Sequence, residues 1–257
     1  MELKTVKTRA AEVPYLEAGT GAPLVYLHGA GGVMPEAVLA GLAATHRVIA
    51  PYLPGYGETE DCPDLRDMLD FTLHTWDVVQ ALGIEKPLIV GESMGGMIAA
   101  EMAALAPNDL AGLVLIAPAG LWLDDHPIPD MFTLMPYELP AFLFHDVAAG
   151  TSLMTAGLNM SDPDFLKGYL VRNARQLGMA GKLMFPIPER GLIGRLYRIK
   201  VPTTIIWGES DRLIPPVYAP AFTGAIAGAK LVMVPQAGHM VTLEQPAAVV
   251  GAIVGAG

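Results

Sequence analysis

The chain has a single cysteine, Cys62, in 257 residues, and only 16% of its residues are charged. One cysteine cannot close an internal disulfide and fits a reducing compartment. Basic side chains are the scarcer sign, 16 Lys and Arg against 26 Asp and Glu, which leaves a net charge of −10. That balance argues against nucleic acid and anionic membrane as partners, since both are bound through basic surface. No uninterrupted apolar run approaches the length of a membrane span. The first residues, Met1-Glu2-Leu3-Lys4-Thr5-Val6-Lys7, alternate like a strand and hold no apolar signal-peptide core. A soluble cytoplasmic protein is the expectation. Internal repeats and low-complexity segments are absent, and no His/Cys/Asp spacing suggests a metal site.

What is present is apolar: 52% of residues, ample for the core of one large α/β domain or two small ones. Residues 1–20 read as two short antiparallel strands. Apolar runs without alternation follow at Leu24–Leu27, Arg47–Ala50, Leu88–Val90, Leu113–Ile116, Thr203–Trp207 and Leu231–Val234, the pattern of strands buried on both faces. Helix-like stretches lie between them, at 34–44, 65–82 and 95–105, with Gly83 as a C-terminal cap of the second. The expected architecture is therefore α/β, a mostly parallel central sheet with helices on both faces. From about 121 to 200 the strand–helix rhythm stops, and helix-like segments punctuated by Pro127, Pro129, Pro136, Pro140, Pro163, Pro186 and Pro188 replace it. Residues 1–120 and 201–257 are read as the core, and 121–200 as a helical cap inserted between two strands.

Chemistry concentrates where strands end. Leu88–Val90 runs into Gly91-Glu92-Ser93-Met94-Gly95, a G-x-S-x-G turn in which glycines permit a sharp strand-to-helix reversal and leave the serine hydroxyl beside the first amides of a helix. Leu24–Leu27 runs into His28-Gly29-Ala30-Gly31-Gly32. Thr203–Trp207 runs into Gly208-Glu209-Ser210-Asp211, and Leu231–Val234 into Pro235-Gln236-Ala237-Gly238-His239. The Gly-rich His28–Gly32 loop lacks the Gly-Lys-Ser/Thr ending of a phosphate loop and does not match G-x-G-x-x-G, so no nucleotide cofactor is implied.

The order Ser93, Asp211, His239, together with the H-G-x-G-G loop and the Pro-Gly-x-Gly turn at 54–57, resembles the α/β-hydrolase superfamily over nearly the whole chain. The resemblance implies Ser93 as nucleophile, His239 as base and Asp211 as the acid that orients it, with the backbone amides of Ala30 and Met94 as oxyanion donors. Glu209 competes for the acid's place, as do Asp124 and Asp125, which follow an earlier strand. His28 resembles the family's loop-supporting histidine; His46, His74, His126 and His145 are expected on the surface or in the core. Met34, Trp122, Phe142, Phe144 and Met240 are the candidate pocket residues, within a methionine-rich set that includes Met131 and Met184 and suits an adaptable apolar site.

The resemblance implies a cap-bearing serine carboxylesterase of small to medium apolar esters, acting without metal or cofactor. Carbon–carbon hydrolysis of ring-cleavage dienoates is the alternative, with Arg172 or Arg175 as the carboxylate anchor. That family usually has Asn where this chain has Glu92, and Trp where it has Met240. A ligand receptor with slow turnover on the same fold is the reading from another class.

Overall fold

The computed structural model describes all residues except 33–34, 58, 60–61, 160 and 256–257. Met34 therefore lies outside the described residues. Its centre is an eight-stranded sheet in the order β1-β2-β4-β3-β5-β6-β7-β8. The strands are β1 (Glu2–Lys7), β2 (Glu12–Ala18), β3 (Ala22–Leu27), β4 (His46–Pro51), β5 (Leu88–Glu92), β6 (Gly112–Ile116), β7 (Thr203–Gly208) and β8 (Lys230–Val234). The pairs β1–β2 and β2–β4 are antiparallel, and every other neighbouring pair is parallel.

The unbroken apolar runs of the inner strands follow from burial on both faces. Side chains alternate across a strand. Val25, Leu27, Ile89, Leu113, Leu115, Ile205 and Trp207 point to one core layer. Leu24, Tyr26, Val90, Val114, Ile116 and Ile206 point to the other. The first layer is closed by α2 (Met68–Ala81), α3 (Met94–Leu105) and α7 (Ala219–Ala225). The second is closed by α1 (Glu36–Leu42), the short α8 (Val241–Glu244) and α9 (Pro246–Val254).

Local chemistry sets the helix ends. Asp67 caps α2 by accepting the N–H of Asp70, which starts that helix three residues later than the apolar stripe suggests. Gly83, at φ +63°, closes it: its N–H donates to Gln80 and that of Ile84 to Val79, a wrapped end that a left-handed residue allows.

Between β6 and β7 lie α4 (Leu139–Leu143), α5 (Val147–Thr155), the 22-residue α6 (Pro163–Met184) and two 3₁₀ turns, with no strand among its described residues. Asp162 caps α6 ahead of Pro163, whose missing N–H costs nothing in a first turn. The segment is fastened to the core at its exit. Arg195 forms a two-pronged ion pair with buried Glu101 of α3, and Arg198 donates to the Ala104 carbonyl at 2.7 Å. No described helix is long and apolar enough to cross a membrane.

Candidate active site

Ser93 stands between the end of β5 and the first residue of α3 with φ +52° and ψ −115°, a conformation that non-glycine residues rarely adopt. It is held there from both sides: its N–H donates to Ile116 at 2.8 Å, and its carbonyl accepts from Ala119 at 3.0 Å. The flanking glycines are required by close approach. A Cβ on Gly91 would run into the Gly95 carbonyl, and one on Gly95 into the carbonyls of Leu27 and His28.

The sheet brings three distant residues into one hydrogen-bonded chain. His239 Nε2 lies 3.0 Å from Ser93 Oγ, and His239 Nδ1 lies 2.8 Å from Asp211 Oδ2. The other carboxylate oxygen of Asp211 accepts the N–H groups of Leu213 and Ile214 at 2.9 and 2.8 Å, so its orientation is set by backbone. With Asp211 accepting from Nδ1–H, Nε2 is the free acceptor for the serine proton. The histidine is buried, which pushes its pKa down. The Asp211 carboxylate, by charge and hydrogen bond, and the charge of Glu92 outweigh that, leaving the ring above its ordinary value. The competing acids stand elsewhere: Asp124 accepts from the Trp122 ring N–H, and Glu209 is exposed.

The loop after β3 lies against the serine, since a Cβ on Gly29 would sit 3.3 Å from Ser93 Cβ. His28 supports this loop. Its Nε2 accepts the Leu53 N–H at 3.0 Å and its Nδ1 donates to the Gly29 carbonyl at 2.7 Å. Burial pushes its pKa down to about 4, so it is neutral at pH 7 and serves as a strut. Neither the Ala30 nor the Met94 amide donates to another described residue, and Met94 opens α3, where the first amides have no helical partner. No described cluster of His, Cys, Asp or Glu has the arrangement to hold a metal ion.

The insert reaches this site through the loops that carry Asp211 and His239. Arg212 donates to the Ala141 and Phe144 carbonyls, and the Met240 N–H to the Leu143 carbonyl. Glu244 accepts N–H groups from Gly238, His145 and Asp146, tying the start of α5 to the histidine loop. A narrow cleft of about 40 Å³ opens on Ser93. Its described lining is Ala119, the stretch Ile128–Phe132, Met184, Pro186, Pro188, Leu213 and Ile214.

A family model for the alpha/beta hydrolase fold matches residues 22–246. The chain is an α/β hydrolase. It is 28% identical over 254 residues to the 2-hydroxy-6-oxo-6-(2'-aminophenyl)hexa-2,4-dienoic acid hydrolase of Metapseudomonas resinovorans, across 94% of this chain and 86% of that protein. It is 26% identical over 271 residues to Lipase 1 of Psychrobacter immobilis, across 95% and 80%. A solved meta-cleavage product hydrolase from Pseudomonas fluorescens IP01 shares the fold with a TM-score of 0.80, at 21% identity over 98% of this chain and 96% of that one.

The pocket of this hydrolase is lined differently from the expectation. Trp122, Phe142, Phe144 and Met240 are not among the residues lining the cleft. Phe144 is buried under α5, where its ring occupies the space above Gly150, and Phe142 packs against the main core. Trp122 is turned to Asp124, and Met240 is spent on starting α8. Aromatic character marks burial as well as binding: Phe144 is buried, whereas Phe132 lines the cleft. Arg172 is exposed, while Arg175 donates to the Thr59 carbonyl; neither lines the cleft. Sequence reasoning missed Leu213 and Ile214. Their signal is position alone, two and three residues beyond Asp211, where a turn that satisfies the carboxylate must also face the serine.

Proposed function

We propose that this hydrolase is a serine carboxylesterase of neutral, apolar esters. The observation that carries the reading is the chain Ser93–His239–Asp211 opening on a cleft whose only charged described lining residue is an acid, Asp130. Ser93 Oγ attacks the ester carbonyl carbon while its proton passes to His239 Nε2. The oxyanion is met by the Ala30 and Met94 amides, which are unengaged in the resting site. The carbon–oxygen bond to the alcohol then breaks, and His239 returns the proton to the departing oxygen. A water repeats the sequence on the acyl-enzyme and releases the acid.

Residues 121–200 act in this reading as a lid. Most of the cleft lining, Ile128–Phe132, Met184, Pro186 and Pro188, comes from these residues, so an acyl group is accommodated by adjustment of lid side chains. Met131 and Met184 suit that adjustment, since an unbranched thioether chain repacks at small cost.

Carbon–carbon hydrolysis of dienoates is the second reading, favoured by the kind of relative reported above. It needs a cation for the substrate carboxylate, and no described residue lining the cleft supplies one. Parallel assays separate the two. A neutral p-nitrophenyl ester is expected to give a kcat/KM at least ~10-fold above that for a ring-cleavage dienoate, because a carboxylate beside Asp130 is repelled rather than paired. Comparable efficiency on the dienoate, falling in Arg172→Ala or Arg175→Ala while the ester is unaffected, would move the assignment to the second reading.

The pH profile carries a sign. Below its pKa, Nε2 of His239 holds a proton and cannot accept one from Ser93, so kcat/KM rises with pH to a plateau. Because the surrounding carboxylates hold the ring above its ordinary value, the midpoint is expected above ~6.5. A midpoint clearly on the acid side of that value would mean that burial of the ring outweighs the two carboxylates.

A further inference from the structure

Glu92 is a buried carboxylate, next in sequence to the serine, that the mechanism above does not use. It is 5% exposed. One of its oxygens accepts the hydroxyl of Tyr26 on β3, and the other accepts the Thr242 hydroxyl at 2.7 Å from α8, three residues past His239. It therefore joins three elements: the strand that delivers the nucleophile, the strand that delivers the oxyanion loop, and the helix behind the base. No ion pair with a described Lys or Arg compensates its charge; both partners are neutral hydroxyls. Burying an uncompensated carboxylate is costly, and a Met or Leu would fill such a space more cheaply.

We propose that Glu92 is a positioning residue of the site, a second buried carboxylate that, with Asp211, stabilises the imidazolium formed when His239 takes the serine proton. The inference rests on the reading of His239 as the base. Two hydroxyl donors, one on each oxygen, are the arrangement that suits an ionised carboxylate, because a protonated one would spend an oxygen as donor. Of the ionisable groups around it, Tyr26 from β3 is hydrogen-bonded to it, and His239 is reached through the adjacent Ser93, whose Oγ lies 3.0 Å from His239 Nε2; Asp211 meets the same imidazole at Nδ1. Burial raises the Glu92 pKa, and the two hydroxyls and His239 offset this only in part, so the group stays above its ordinary value, while burial and Glu92 hold the Tyr26 phenol far into its neutral range. The charge on Glu92 in turn raises the His239 pKa, so the two groups favour each other's ionised forms.

The test is Glu92→Gln, which keeps size and polarity and removes the charge, read by NMR titration of the His239 ring and by the pH profile of neutral-ester hydrolysis. The His239 midpoint is expected to move to lower pH by at least ~0.5 unit, with the acid limb of kcat/KM moving with it and the plateau falling. Glu92→Asp is expected to restore most of the midpoint. A fall in kcat with an unmoved His239 midpoint would leave Glu92 a structural brace only and overturn the proposal. If Glu92→Gln does not fold, Tyr26→Phe/Glu92→Met/Thr242→Val removes the charge and both donors together and is read in the same way. The ring titration is independent of turnover. A chain that hydrolyses no ester but shows the shift refutes the esterase reading and leaves the charge coupling standing.

Discussion

Ser93→Ala is expected to lower neutral-ester turnover by about 10⁴–10⁶-fold while leaving the fold intact. The hydroxyl is the attacking atom in the proposed reaction, so nothing else in the cleft replaces it. Its loss removes one hydrogen bond, to His239, from a residue whose backbone is held independently by Ile116 and Ala119. His239→Ala is expected to do comparable damage. Asp211→Asn is expected to cost less, because Leu213 and Ile214 still orient the side chain although the charge is gone. Single-turnover and steady-state assays of purified variants, with circular dichroism to check folding, measure this. A well-folded Ser93→Ala enzyme within tenfold of the parent would remove Ser93 as nucleophile.

The second large effect is on stability. Gly95→Ala sets a Cβ against the carbonyls of Leu27 and His28. Those carbonyls cannot retreat easily, since Leu27 pairs with Gly91 inside the parallel sheet and His28 is braced by Leu53. Neither can α3, whose residues from Met94 to Ala104 are buried against the core. The expected cost is at least ~3 kcal/mol, a fall in Tm of roughly 6–12 °C for a domain of this size. Gly178→Ala is the control: α6 leaves open space at that position, and the change is expected to be neutral or to stabilise by about 0.5–1 kcal/mol. If both variants melt with the parent, the elbow is looser than its packing implies.

The sheet and the elbow were legible in the sequence because their causes are local. Strands buried on both faces must be apolar at consecutive positions, so Leu24–Leu27, Leu113–Ile116 and Thr203–Trp207 announce themselves without partners. A serine at φ +52° between glycines that touch neighbouring carbonyls is likewise written into five adjacent residues. The places of Asp211 and His239 follow, since each sits just beyond the end of a readable strand.

What the tertiary structure alone decided are matters of distance across the fold. Glu209, Asp124 and Asp125 have the same chemistry as Asp211 and comparable positions after strands; the partner of His239 is chosen by where β7 lies beside β8. An aromatic side chain in the insert serves burial or binding equally well until its neighbours are known: Phe144 fills the space above Gly150, while Phe132 lines the cleft. The bond between Glu92 and Thr242 spans 150 positions, and that between Glu92 and Tyr26 spans 66. No periodicity or motif encodes such a pairing, because it arises only when three elements converge on one buried carboxylate.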